Sequence, residues 1–248
     1  MHRRRFFVSL APQANQATVS GEEAHHLIHV LRAQVGDSIE LIDGSGSAWR
    51  GQVAEIDSTS VIIRDLIELP RSDASPNRLI LVQSLCKSDK LEWILQKVTE
   101  LGISEIRLLA ADRSVLKIPE GKIQAKLERW NKIVLGAAKQ CRRSTLPHLH
   151  APDKCAAICQ SIEADLKMVL SEDETQSTLK TLLKRSSPRS VAFCIGPEGG
   201  WTTPESEIFS YHGIQPVTLG PSILRTETAA IVTTAILKYE LENPEFND

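Results

Sequence analysis

An α/β protein in two parts is predicted from three observations. Residues 1 to about 70 carry β-type runs divided by turn residues. Residues 71–77, following Pro70 and containing Ser72, Asp73, Ser75 and Pro76, have the composition of a linker. From residue 78 to residue 248, short apolar strands alternate with helical periodicity, the pattern of a largely parallel sheet. At 248 residues the chain is long enough to bury two cores.

The elements follow in order. The start reads as a first strand: its apolar stretch after Arg3, Arg4 and Arg5 is too short for an export signal, and Pro12 interrupts it. Ser20 to Ala33 is expected to be one helix, with Ser20 and Glu23 as a capping box and Leu27, Val30 and Leu31 as its apolar face. Asp37–Asp43, Ala48–Ile56 and Val61–Leu69 are strands separated by Gly44-Ser45-Gly46-Ser47 and Asp57-Ser58-Thr59-Ser60, which suggests a small barrel. After the linker, Leu79–Leu85 is a strand. Ser88–Leu101 is a helix with Leu91, Ile94, Leu95, Val98 and Leu101 on one face, ended by Gly102. Ile103–Leu109 is the next strand, and Lys122–Cys141 a long helix with Ile123, Leu127, Trp130, Val134, Ala137 and Cys141 aligned. Met168–Leu170, Val191–Ile195 and Gln215–Leu219 complete the strands. A last helix, Glu227–Leu241, carries Ile231, Ala235 and Tyr239 on one face.

Composition narrows the function classes. No apolar run reaches membrane-spanning length, so no membrane partner is expected. Five cysteines, an odd number without regular spacing, fit a reducing compartment, and a cytoplasmic location is expected. The net charge of −2 argues against indiscriminate polyanion binding and permits a shaped local site. Basic clusters are Arg3-Arg4-Arg5, Lys139 with Arg142-Arg143, and Lys184-Arg185 with Arg189. Neither GxGxxG after the first strand of the sheet nor GxxxxGK[ST] is present, which removes the ordinary dinucleotide and nucleoside-triphosphate sites. His148, His150, Cys155 and Cys159 match no usual zinc spacing, His25 and His29 lack the glutamate of HExxH, and no metal is expected. Ser222 lacks a nucleophile elbow and Cys194 lies within a strand, so nothing points to covalent chemistry.

Two loops carry the chemistry. Gly196-Pro197-Glu198-Gly199-Gly200-Trp201 and Leu219-Gly220-Pro221-Ser222-Ile223-Leu224-Arg225-Thr226 each follow an apolar strand and precede a helix, so both strand ends are expected at one crevice beyond the sheet. Glycine lets the backbone approach a ligand, and proline holds the loop stiff. Thr203, followed by Pro204, and Thr226 are expected helix caps. Glu198 and Glu227 lie near helix starts, where a carboxylate is also structurally favourable. Arg225 at the loop mouth suits recognition of a phosphate or a base edge, and Arg113 and Arg143 follow a strand and end a helix respectively.

IGPEGGW, LGPSILRTETAA, QKVTELGI, ERWNKI with AAKQCRRS, and HLIHVLRAQVGDSIELIDGSG together resemble the bacterial 16S ribosomal RNA uridine-N3 methyltransferases of the SPOUT superfamily, in family order over nearly the whole chain. The resemblance implies a PUA-like RNA-binding β-barrel at 1–70 and a SPOUT α/β methyltransferase domain with a trefoil knot at 78–248. It also implies S-adenosyl-L-methionine as methyl donor, a homodimer with active sites at the subunit interface, and the decoding region of 16S rRNA in the small ribosomal subunit as substrate. Carried onto this chain, it implies a cofactor site of Leu170, Ile195, Gly196, Glu198, Gly199, Gly200, Leu219, Gly220, Ser222, Leu224, Arg225, Thr226, Thr228 and Ala229. Ser222 stands where the family commonly has arginine. Uridine N3 must lose a proton before its lone pair can attack. Arg225 is therefore expected to stabilise the uracil anion or orient the base, with Glu198, Glu227 or water accepting the proton. Arg3, Arg4, Arg5, Arg32, Arg113, Arg142 and Arg143 are candidate RNA contacts. Methylation of another base or a ribose 2′-oxygen, and a non-catalytic RNA-binding assembly protein, are the alternative readings.

Overall fold

The computed structural model describes residues 5–8, 15–70, 77–184 and 188–242. Arg3, Arg4 and Arg185, together with linker positions 71–76, lie outside the described residues. Packing divides the chain into two units, Met1–Ala74 with Ala138–Leu146, and Ser75–Ala137 with Pro147–Asp248.

In the first unit, strands β1 (Arg5–Phe7), β2 (Gln16–Ser20), β3 (Ser38–Ile42), β4 (Ala48–Ile56) and β5 (Ser60–Leu69) form a sheet in the order β1-β3-β4-β5-β2. Its pairs are antiparallel except β1 with β3. Register shifts between Arg50 and Gln52 and between Val53 and Glu55 twist the long β4–β5 pair, and such irregularities let a sheet curl. Gly51 sits at the first of them because a Cβ there would lie 2.7 Å from the Arg64 carbonyl. Phe6, Val19, Leu27, Leu41, Val53 and Ile63 fill the core. The segment Ala138–Leu146 joins this unit by hydrogen bonds from Leu146 N to Gly44 O (2.8 Å) and from Gly46 N to Ser144 O (3.1 Å), and by ion pairing of Lys139 with Glu23.

The expected single helix at 20–33 is instead a short helix α1 (Gly21–His25) continuing as a π-helix over His26–Val30. Ser20 occupies the capping position but makes no side-chain cap bond. The wider π turn rotates the apolar face, so Ala24 and Leu27 are buried and Val30, expected inside, is 62% exposed. β2 was not anticipated; it pairs with β5 through its whole length.

The second unit contains β6 (Arg78–Ser84), α2 (Ser88–Glu100), β7 (Glu105–Leu109), α3 (Ile123–Gln140), β8 (His148–Asp153), α4 (Cys155–Ser161), β9 (Leu166–Leu170), α5 (Leu179–Lys184), β10 (Ser190–Ile195), α6 (Thr203–Tyr211), β11 (Gln215–Val217) and α7 (Thr226–Glu242). The last three residues of α3, from Ala138, are grouped with the first unit. The six strands pair in parallel in the order β11-β9-β10-β6-β7-β8. Alternation along each strand supplies both faces with apolar residues. Leu79, Leu81, Phe193 and Ile195 pack with α2, α3 and α7, whereas Ile80, Val82, Ala192 and Cys194 pack with α4 and α6.

From β6 the chain proceeds to β7 and β8 on one side and reaches β9, β10 and β11 on the other. The adjoining ends of β6 and β10 are therefore the switch point where a parallel sheet opens a crevice. The buried face of α7 is Ala230, Thr233, Thr234 and Leu237, while Tyr239, expected to share a face with Ile231 and Ala235, is exposed. Thr234 is tolerated inside because its hydroxyl donates to Ala230 O at 2.7 Å. Among the described residues, no helix is long and apolar enough to cross a membrane.

Candidate functional site

Both glycine loops lie at the carboxyl edge of the parallel sheet, after β10 and β11, and a single hydroxyl connects the first loop to the helix that follows the second. Thr226, expected as a cap, is the first residue of α7; its hydroxyl accepts from Gln83 Nε2 (3.1 Å) and donates to Gly196 O (2.9 Å). Gln83 is buried at the end of β6, and its amide nitrogen also donates to Ser84 O at 3.0 Å. The end of β6, the first loop and the start of α7 are thus held by one chain of bonds, fixed in direction because each hydroxyl or amide donor has a defined acceptor.

The first loop is fixed at its other end by Trp201. The indole donates to Leu170 O at 3.0 Å, bringing in the end of β9, and packs edge-on against Phe209 of α6. A Cβ at Gly196 would lie 3.1 Å from the Trp201 ring, so glycine is what allows the indole to close over the loop. Arg113, from the segment after β7, donates to Gly199 O (2.8 Å) and Trp201 O (3.4 Å). Glu172, after β9, approaches Gly200, which has a φ of +70°.

The cap of α6 is Thr202, one residue before the expected Thr203. Thr202 and the buried Glu205 form a reciprocal capping box, with Pro204 in the first turn. Glu205 also accepts from Asp112 N at 3.0 Å. This second demand for its carboxylate, from the turn after β7, accompanies a helix start one residue earlier than the Thr-Pro pair suggests.

The second loop is more open. Thr218 Oγ1 both donates to Gly220 O (3.1 Å) and accepts from Gly220 N (3.2 Å), and Ser222, Ile223 and Arg225 are exposed. Leu219 and Leu224 are half-buried, Thr228 is exposed and Ala229 half-buried, with Ala229 N donating to Arg225 O at 2.8 Å. The two candidate carboxylates meet Lys90 of α2, whose Nζ lies 3.1 Å from Glu198 Oε1 and 3.4 Å from Glu227 Oε2. Cys86, in the turn before α2, adjoins them. Burial, then the Glu198 charge, pushes its thiol up to about 12, so it stays protonated.

Of the candidate RNA contacts, Arg113 reaches the first loop, whereas Arg5, Arg32, Arg142 and Arg143 belong to the first unit. Arg5 ion-pairs with the buried Glu40 and bonds the Arg142 carbonyl; Arg143 donates to Thr145 Oγ1 at 3.2 Å; Arg32 is exposed. Gln83, Lys90, Glu172 and Glu205 were not singled out from sequence. None belongs to a glycine motif, and only the strand order brings them to this edge. Among the described residues, no group of three or more His, Cys, Asp or Glu side chains is placed to hold a metal ion.

A family model described as an RNA methyltransferase domain matches residues 73–238, and another described as an RNA methyltransferase PUA domain matches residues 19–66. The ribosomal RNA small subunit methyltransferase E of Bacillus subtilis (strain 168) is 31% identical over 96% of this chain and 97% of its own. This chain belongs to that family. The Synechocystis member is 33% identical over 91% of this chain and 74% of its own. The crystal structure of the family member from Neisseria gonorrhoeae bound to S-adenosyl methionine superposes with a TM-score of 0.86 at 28% identity, covering 96% of this chain and 98% of that one. The SPOUT-type α/β domain and PUA-like domain expected from sequence are therefore the architecture of this chain.

Proposed function

We propose that this protein transfers a methyl group from S-adenosyl-L-methionine to N3 of one uridine in the decoding region of 16S rRNA, on the small ribosomal subunit. Membership of the small-subunit methyltransferase family supports the reaction class, and the Neisseria relative supports the cofactor. The observation that carries the reading is the bonded assembly of the Gly196 loop, Thr226 and Gln83 at the switch point.

The residues fit the cofactor chemically. Its sulfonium is a cation; Glu198 and Glu227 meet at Lys90, and Glu172 lies against Gly200, in glycine-built backbone that a flat heterocycle can approach. Glu227 Oε2 is buried and has no hydrogen-bond partner. When bound, S-adenosylmethionine supplies an electrophilic methyl, and the protein's task is to align it with the nucleophile and to manage one proton. Ile195 to Gly200 and Leu219 to Ala229 hold the cofactor, with Leu170 as a third wall. The exposed Arg225 at the loop mouth orients the uracil and stabilises its N3 anion, and Glu198, Glu227 or a water they hold accepts the proton.

N3 lies on the Watson–Crick edge, so the uridine must be presented unpaired or turned out of its stack. The PUA-like unit, with Arg5, Arg32, Arg142 and Arg143, grips the RNA, and Arg113 braces the cofactor loop. The domain division at 70 and 78, a trefoil-knotted SPOUT domain, a homodimer with active sites at the subunit interface and a cytoplasmic location complete the proposal. The test is methyl transfer from isotopically labelled S-adenosylmethionine to unmodified small subunits, with mass mapping of the product. Label at N3 of a single uridine is expected. Cofactor binding without label, or label on a ribose or another base, overturns it.

A further inference from the structure

Lys90 ion-pairs with both candidate proton acceptors. It stands in the first turn of α2, Glu198 in the loop after β10 and Glu227 in the first turn of α7, so its ammonium joins three elements. The contact with Glu198 is a hydrogen bond. That with Glu227 is longer, 3.4 Å, to a carboxyl oxygen that is buried and has no other partner. The Lys90 side chain is only 24% exposed and that of Glu227 8%, so water screens the contact with Glu227 less than it would a surface pair. The titratable groups meeting here are Cys86 from the turn after β6, Lys90 from α2, Glu198 from the β10 loop and Glu227 from α7. With the thiol neutral, one ammonium faces two carboxyl groups.

We propose that Lys90 is a positioning residue for methyl transfer, clasping Glu198 against the start of α7 and keeping Glu198 and Glu227 ionised together. This rests on the reading of the site given above. A single ammonium between two carboxylates is the simplest device for holding like charges close. Without it, their repulsion drives one of them to take up a proton, and the protonated partner no longer accepts one from uridine. The clasp also gives the glycine loop a tether independent of Thr226 and Trp201. One residue thereby sets both the charge at the site and the position of the loop bearing Glu198.

The test compares wild type, Lys90→Met and Lys90→Arg as full chains. Turnover on small subunits is measured between about pH 5 and pH 9, with cofactor binding by calorimetry and carboxyl chemical shifts of Glu198 and Glu227 in glutamate-labelled protein. For Lys90→Met, the acid limb of the kcat profile is expected about one unit higher, so that turnover on that limb falls by up to about tenfold. One carboxyl resonance should titrate correspondingly higher, and Lys90→Arg, which keeps the charge, should restore the wild-type profile. A Lys90→Met protein with wild-type carboxyl titrations overturns the proposal, as does a uniform loss of turnover without a shift of the acid limb. Wild type that binds cofactor but methylates no subunit overturns the functional reading instead, and the carboxyl titrations then still decide the role of Lys90.

Discussion

Thr226→Val isolates the bond chain that joins the two halves of the site. Valine keeps the shape of threonine and removes only the hydroxyl, leaving Gly196 O without its donor and Gln83 Nε2 with Ser84 O as its remaining acceptor. Thr226 and Gln83 are buried, so water does not readily replace the lost partner. Two polar groups each losing a partner at about 1–1.5 kcal/mol give a loss of roughly 2–3 kcal/mol. For a chain of this size that lowers the melting temperature by about 4–12 °C. Because Gly196 opens the first glycine loop, cofactor affinity should fall about tenfold in calorimetry, a further ~1.4 kcal/mol. A double-mutant cycle with Gln83→Met separates the shared bond from local packing, and a coupling of about 1 kcal/mol is expected. A loss below about 0.5 kcal/mol with unchanged cofactor affinity would refute the claim that this hydroxyl organises the loops.

Three other perturbations address separate features. Gly196→Ala places a Cβ 3.1 Å from the Trp201 ring, which must shift, so cofactor affinity should drop and tryptophan fluorescence should change; unaltered values of both would contradict the packing described. Trp201→Phe keeps an aromatic ring against Phe209 but loses the bond to Leu170 O, and chemical denaturation should register about 1 kcal/mol. Glu105→Gln concerns acid stability. Burial raises the Glu105 carboxyl, but hydrogen bonds from Arg78 and Arg107 outweigh it and hold the group below its ordinary 4.5. A depressed folded value means stability that is fully present above the unfolded value and is lost as pH falls through the folded one. Wild type should therefore exceed Glu105→Gln in stability at neutral pH, with the gap closing below about pH 4.

Elements with strong apolar periodicity were legible in the sequence. The face of α2 formed by Leu91, Ile94, Leu95 and Val98 is buried as the spacing implies, and β6 and β10 read as strands from their apolar runs, which supply both faces of the sheet. β8 was missed because His148-Leu149-His150 alternates weakly on an edge strand paired only with β7. The caps show how local signals are overruled. Thr202 rather than Thr203 caps α6, with Glu205 answering both the cap and Asp112, and Thr226 spends its hydroxyl across the sheet rather than on its own helix. The glycine loops announced themselves, since proline and glycine act locally. Lys90 did not, because a lysine in a helical first turn acquires meaning only when β10 and α7 bring Glu198 and Glu227 to it.

The first unit is assembled from two stretches of chain separated by much of the second. Gly44 and Gly46 find their partners at Leu146 and Ser144, beyond helix α3, and Glu23 finds Lys139 in its last turn. A nascent chain that has released only its first 74 residues from the ribosome therefore lacks these partners, which arrive with the end of α3 and the segment after it, once β6, α2 and β7 have been synthesised. Vectorial synthesis leaves that unit waiting on its own closing segment. For the same reason no single cleavage of the backbone yields both units whole: a fragment ending at residue 74 leaves Gly44 O, Gly46 N and Glu23 without partners, and the remainder carries a short basic stretch made to complete something else.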